Sequence, residues 1–171
     1  MSDGWMLPDE VITWINDNLS KECTILEFGS GHGSVALSSR FQLISVEHDE
    51  KWLNLSNGRY IHAEIVQNPI SSLYEQTGWY NAESLVDLPT FVELIIVDGP
   101  PGNIGRIGII HHLASLPKSN YWIIDDTDRE AEALLLESLV SKLDVIGQIE
   151  IISSARRGNG EPRKSTVLML R

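Results

Sequence analysis

The run Glu27-Phe28-Gly29-Ser30-Gly31-His32-Gly33-Ser34 carries the residue types and spacing most suited to ligand chemistry. Alternate glycines let the backbone turn through positive φ and come close to a bound molecule. A helix beginning behind them would offer unpaired N–H groups to an anion. A nicotinamide dinucleotide would bring a pyrophosphate there, but its pattern wants Gly or Ala where Ser34 stands. Glu27, two residues before the first glycine, would repel a pyrophosphate. It suits a ligand with an ammonium and a sulfonium, such as S-adenosylmethionine, whose one anion is its amino-acid carboxylate. Glu47 closes a second apolar run, and a carboxylate there can accept both hydroxyls of a ribose, which points to an adenosine ligand without choosing between the two cofactors. His48 and Trp52 follow as candidates to pack near an adenine. Asp98 and the pair Asp125-Asp126 close two further apolar runs. Methyl transfer from a sulfonium is an in-line displacement with a good leaving group, so a protein mainly aligns the nucleophile and excludes water. An alcohol nucleophile also needs a base, or a metal to acidify it, and acids gathered on one rim could serve either way.

These residues need a scaffold that brings several strand ends together. Apolar positions in 8–19 fall at helical spacing, with Pro8 in the first turn. Residues 24–28, 43–47 and 94–98 read as buried strands, 63–66 as a weak third strand and 121–124 as the fifth. Helices are expected over 35–41, 49–57, 106–116 and 128–143, and 67–90 is the least regular stretch. Alternation of strand and helix implies a parallel sheet covered on both faces. Residues 145–152 and 166–170 are both strand-like, and the Gly/Asn/Pro-containing segment between them will not make a crossover helix, so they should pair as an antiparallel hairpin. The expected fold is an α/β, doubly wound, mostly parallel seven-stranded sheet with a C-terminal antiparallel hairpin. Residues 1–171 form one domain, with a helical lead-in over 1–22 and the core over 24–171. In such sheets ligands bind beyond the carboxyl ends of the strands, where the strand order reverses.

Composition bounds the partners. The chain has 171 residues, 42% hydrophobic and 22% charged, and a formal charge of −11. That surface repels phosphate backbones, which argues against broad nucleic-acid binding through net charge. The single cysteine, Cys23, allows no internal disulfide, which fits a reducing cytoplasm. No segment reaches the roughly 18 apolar residues of a membrane span. Arg156, Arg157, Arg163 and Lys164 cluster in the expected hairpin loop; they read first as a solvated loop guarding an edge, and second as a grip for an acidic or phosphorylated substrate. Trp79 and Tyr80 either line a substrate pocket or anchor the irregular stretch.

The acid followed by three alternate glycines resembles motif I of class I (Rossmann-like) S-adenosylmethionine-dependent methyltransferases. The resemblance implies a cofactor site at Glu27, Gly29, Ser30, Gly31, Gly33, Glu47, His48, Asn68 and Asp98, with Glu47 on the ribose and Asn68 near the adenine. It implies catalysis at Asp98, Asp125 and Asp126 and leaves three readings of the acceptor open. Similarity to catechol-type enzymes implies Mg²⁺ on Asp98, Asp125 and Asp126, with Asp126 where that family has Asn; that family's second acid and lysine base are absent from 99–102. A metal-free enzyme would use Asp98 or a histidine (His111 or His112) as base, while His32, inside the glycine loop, points at the ligand or at solvent. An amino-group methyltransferase would carry Asp/Asn-Pro-Pro-aromatic, whereas this chain has Asp98-Gly99-Pro100-Pro101-Gly102. The leading expectation is O-methylation of a small hydroxylated molecule. A binding module holding S-adenosylmethionine or an adenosine nucleotide without turnover comes second, and an NAD-dependent oxidoreductase third.

Overall fold

The computed structural model describes residues 6–67 and 78–171. Helix α1 (Asp9–Asn18) starts behind Pro8 with Asp9 and Glu10 in its first turn, where free N–H groups favour negative charge. It buries Val11 and Ile15. Strand β1 (Thr24–Phe28) leads into helix α2 (His32–Ser38), followed by β2 (Gln42–Glu47), β3 (Arg59–His62), β4 (Ile65–Gln67), β5 (Gly78–Tyr80), β6 (Phe91–Val97), β7 (Lys118–Ile124), helix α3 (Glu130–Lys142), β8 (Val145–Arg156) and β9 (Pro162–Leu170). Seven strands form one sheet in the order β3-β2-β1-β6-β7-β9-β8, and β4 and β5 pair separately. Strands β3, β2, β1, β6 and β7 run parallel; β9 is antiparallel to both β7 and β8. The expected α/β sheet and its terminal hairpin are thus present. The order reverses between β1 and β6, which sets the crevice at the carboxyl ends of those two strands.

Alternation along the central strands splits the core. Ile25, Leu94, Ile96 and Ile123 face Val11, Ile15 and Leu19 on one side of the sheet. Leu26, Phe28, Ile95 and Val97 face Trp79, Tyr80, Ile109, Leu135 and Leu139 on the other. Being buried on both faces explains why β1 and β6 read as apolar runs with no polar alternation. Glu10 accepts a hydrogen bond from the Ser154 backbone N–H at 2.7 Å and fastens α1 to β8.

Three expected elements differ. The helix placed at 49–57 is one 3₁₀ turn, Glu50–Trp52, capped by Asp49. Asn54 turns the chain through φ +59°, and the Ser/Asn/Gly-rich segment after it holds no helical ladder. The chain therefore returns to the sheet early, and the third sheet strand is 59–62; part of the expected 63–66 joins the separate hairpin instead. The helix placed at 106–116 is two 3₁₀ turns, Ile107–His111 and Leu113–Ser115. Among the described residues, no helix is long and apolar enough to cross a membrane.

Candidate functional site

The crevice opens onto a cavity of about 350 Å³ whose wall includes Gly29, Ser30, Glu47, His48, Trp52 and Tyr80. Asp98, Gly99, Arg106, Asp126, Arg129 and Arg163 complete its other end. Its size is within the range of small-ligand sites. Backbone meets backbone at its floor. Gly29 has φ +92°, and a Cβ there would stand 2.7 Å from the Gly99 nitrogen. A Cβ on Gly99 would stand 2.6 Å from the Tyr80 hydroxyl and 2.7 Å from the Gly29 Cα. Of the three motif glycines, Gly29 is the one whose conformation demands the residue: Gly31 is extended, and a Cβ on Gly33 would meet Leu7 at 3.5 Å, an ordinary contact.

The glycine loop is held from both sides by acids. Glu47, buried at the end of β2, accepts the Ser30 N–H on one oxygen at 2.9 Å and the His48 and Asp49 N–H groups on the other at 2.7 and 2.8 Å. Glu47 and His48 both border the cavity. The Ser30 N–H is therefore taken, and the Gly31 N–H donates to the Ser34 hydroxyl at 3.1 Å. These two loop donors close on the protein and are not the open anion cradle expected from the sequence. Ser34 thereby gains a role that the glycine pattern does not show.

Glu27 stands behind the loop and does not border the cavity. It points to the α2 side of the sheet, where its Oε1 accepts the Ser34 and Ser45 hydroxyls. Burial pushes its pKa from 4.5 to about 7, against those two hydrogen bonds and with help from the negative charge of Glu47. The folded chain therefore keeps a proton that the unfolded chain releases between pH 4.5 and 7, and stability falls as pH rises through that window. The full cost, about 3 kcal/mol, is present above pH 7. Glu27→Gln keeps an acceptor for both serines and removes the charge. It should be more stable than the parent by about 2 kcal/mol at pH 8 and equal to it at pH 4, in parallel urea melts. A loss of stability at pH 8 would give the ionised carboxylate a structural role.

At the other end of the crevice, Asp98 follows β6 and Asp125-Asp126 follow β7. The sequence places all three on one rim, and the structure brings one oxygen from each within 4.8 Å of the others. Arginines crowd them. Arg106, 4% exposed, donates from Nε to the Pro100 carbonyl, from one terminal nitrogen to the Asp125 carbonyl, and from the other to Asp98 and Asp126. Asp126 also meets Arg129, Arg157 and Arg163, so both of its oxygens are engaged. The two Asp125 oxygens accept the Ser165 hydroxyl and Arg163. Five acids (Asp98, Asp125, Asp126, Asp128 and Glu132) face four guanidiniums (Arg106, Arg129, Arg157 and Arg163). Burial and the neighbouring Asp125 charge raise the Asp98 pKa well above the carboxylate range, with Arg106 opposing. Burial also pushes Asp126 up, but Arg106, Arg157 and Arg129 outweigh it and hold that group below its ordinary value.

This donor set does not fit the Mg²⁺ suggested by the sequence. A hard dication needs several free oxygens in near-octahedral array, and here guanidinium and hydroxyl donors occupy them and balance nearly all the negative charge. Arg157 and Arg163 also answer the question of the basic hairpin loop: they turn inward onto these acids, while Arg156 is exposed and Lys164 pairs with Glu150 at 3.4 Å. His32, His111 and His112 do not border the cavity. Trp52 does, edge-on to His32, and Asn68 lies outside the described residues.

Two participants carry no signal in the sequence. No local pattern marks Arg106 as buried, and nothing in the run Asp98-Gly99-Pro100 shows that Gly99 meets Gly29. Of the two candidate pocket aromatics, Tyr80 lines the cavity. It is fully buried, and its hydroxyl has no hydrogen-bond partner among the described residues. Burial and the Glu47 charge raise its pKa, so it stays a neutral donor. A buried hydroxyl left unpaired is costly unless a ligand or water takes it.

No family model and no curated protein matches the sequence. Solved structures do. The methyltransferase domain of METTL16 superposes with TM-score 0.62 at 14% identity over 94% of this chain and 66% of that one. The C-terminal domain of precorrin-6Y C5,15-methyltransferase from Rhodobacter capsulatus gives 0.62 at 15%, covering 99% and 92%. The O-methyltransferase TomG from Streptomyces achromogenes, in complex with SAM, gives 0.56 at 14%, covering 95% and 80%. Likeness at this identity is likeness of fold, and the chain has the Rossmann-like fold of the class I S-adenosylmethionine-dependent methyltransferases.

Proposed function

We propose that this chain is an S-adenosylmethionine-dependent methyltransferase acting without a metal on the hydroxyl group of a small molecule. The observation that carries the reading is the cavity floor. Gly29 and Gly99 touch backbone to backbone at the point where the strand order reverses, with Glu47 at one end and Asp98 at the other. That contact leaves no space for a side chain at either position and brings the two strand ends together beneath the cavity. The unpaired Tyr80 hydroxyl beside it supports a polar occupant.

The cofactor, when bound, supplies an electrophilic methyl group. Glu47, fixed by three backbone N–H groups, presents a rigid carboxylate toward the ribose hydroxyls. Tyr80 donates its hydroxyl from the floor. Asp98 is the most exposed member of the acid cluster, at 21% of its side chain. In its ionised form it takes the hydroxyl proton of the acceptor, and burial makes that form a stronger base than a free carboxylate. Arg106, Asp125 and Asp126 hold Asp98 in place and shield the reaction from water. Glu27 is a positioning residue, acting through Ser34 on the loop.

Calorimetric titration tests the reading. S-adenosylmethionine should bind and NAD should not; the reverse would overturn it in favour of an oxidoreductase. Labelled methyl transfer into a metabolite extract should then proceed undiminished in a chelator. Asp98→Asn should lower turnover at least 100-fold, the usual scale for a general base, while cofactor affinity stays within threefold. Binding with no transfer to any extract would assign the chain to the non-catalytic alternative.

A further inference from the structure

The end of the cavity away from Glu47 gathers guanidiniums. Arg106, Arg129 and Arg163 line it against Asp98 and Asp126, in a protein of formal charge −11. Two of these arginines are turned into the protein. Arg106 is buried with its donors on Pro100, Asp98, Asp125 and Asp126. Arg163 is almost buried and reaches Asp125 and the Met6 carbonyl. Arg129 differs. It meets Asp126 through one terminal nitrogen at 3.0 Å, and 40% of its side chain is exposed. That nitrogen would stand 3.3 Å from a Cβ on Gly102, so the guanidinium lies beside the Pro100–Gly102 turn. Asp126 cannot neutralise it, because the same carboxylate already answers Arg106, Arg157 and Arg163. The remaining Arg129 donors form a planar fork at the cavity mouth, a geometry matched to carboxylate and phosphate oxygens.

We infer that the acceptor carries an anionic oxygen group, carboxylate or phosphate, which the Arg129 guanidinium grips at the mouth of the cavity. The inference rests on the methyl-transfer reading for the word acceptor, and on the cavity's own lining for the anion. Steric room at Gly102 is part of the device, since a side chain there would crowd the Arg129 fork.

The test uses the full chain saturated with S-adenosylhomocysteine, so that the cofactor's own carboxylate is already in place. Benzoate, phenyl phosphate and the neutral benzamide are titrated by ligand-observed NMR. At least one anion should bind tenfold or more tightly than benzamide, and the tighter of the two names the class. Arg129→Gln should bring that preference below threefold while S-adenosylhomocysteine affinity stays within twofold. Arg129→Lys should restore only part of it, because a lysine keeps the charge and loses the fork. Equal binding of benzamide and both anions, or an anion preference that survives Arg129→Gln, would overturn the inference. So would anions that bind the empty protein and are expelled by S-adenosylhomocysteine, since the cations would then serve the cofactor. Failure of S-adenosylhomocysteine to bind at all would instead strike the methyl-transfer reading.

Discussion

Arg106→Met should lower the folding free energy by about 3–5 kcal/mol, the range seen when one partner of a buried charge cluster is removed. The side chain is 4% exposed and lies within 4.0 Å of carboxylate oxygens on Asp98, Asp126 and Glu132. Burial alone would disfavour its charge, but the Asp98, Asp126 and Asp125 charges outweigh that and strengthen it. Methionine of similar length fills most of the space, so the loss reports charge and hydrogen bonding more than volume. It also strips a donor from the Pro100 and Asp125 carbonyls. For a domain of this size each kcal/mol moves the melting temperature by about 2–4 °C, so a drop of roughly 10 °C is expected. The deficit should shrink as pH falls and the exposed-facing carboxyl groups take up protons. A variant that melts within 2 °C of the parent at pH 7 would show that the acids do not depend on Arg106.

Gly29→Ala should abolish cofactor binding and cost about 2–4 kcal/mol. Left-handed backbone costs a non-glycine residue roughly 1–2 kcal/mol, and the new Cβ also meets main-chain atoms of Gly99 at 2.7 and 2.9 Å. Neither neighbour is a flexible side-chain end, so the two strand ends must separate. That displaces the Ser30 N–H from Glu47 and lets the chain fill the floor of the cavity. Gly33→Ala is the control: its contacts with Leu7 at 3.5 Å are ordinary, so stability should change by less than about 1 kcal/mol. Calorimetry and urea melts on both variants check this. Equal effects at 29 and 33 would mean that the loop responds to composition and not to the Gly29–Gly99 contact.

Much of the fold was legible because strands buried on both faces leave long apolar runs. Residues 24–28, 43–47 and 94–98 stand out for that reason, and the last two end in residues that border the cavity, Glu47 and Asp98. The hairpin was legible from the Gly-Asn-Gly segment, which cannot cross over as a helix. Less regular parts were not. Residues 49–57 have helical spacing, but Asn54 and the serines around it satisfy the backbone locally, and a single 3₁₀ turn results. In the site, acids at strand ends are visible from the sequence because the strand rule fixes where they emerge. Their partners are not. Arg106 and Arg129 lie in or next to short irregular segments, and Arg157 and Arg163 come from the far hairpin. Tertiary geometry alone decides which guanidinium reaches which carboxylate. For that reason a cluster that reads as a metal site in one dimension closes on arginine in three. Glu27 shows the same limit: its position in the motif suggests a ligand contact, yet the direction of its side chain is set by strand alternation, which turns it away from the cavity.

The cations at the acceptor end are all guanidiniums. None of them loses its charge at any pH at which the fold survives. Their own share of the attraction on an incoming molecule is thus a constant of the architecture, indifferent to alkaline conditions and to reagents that acetylate amines. Lysines in the same places would open this end of the crevice to both influences.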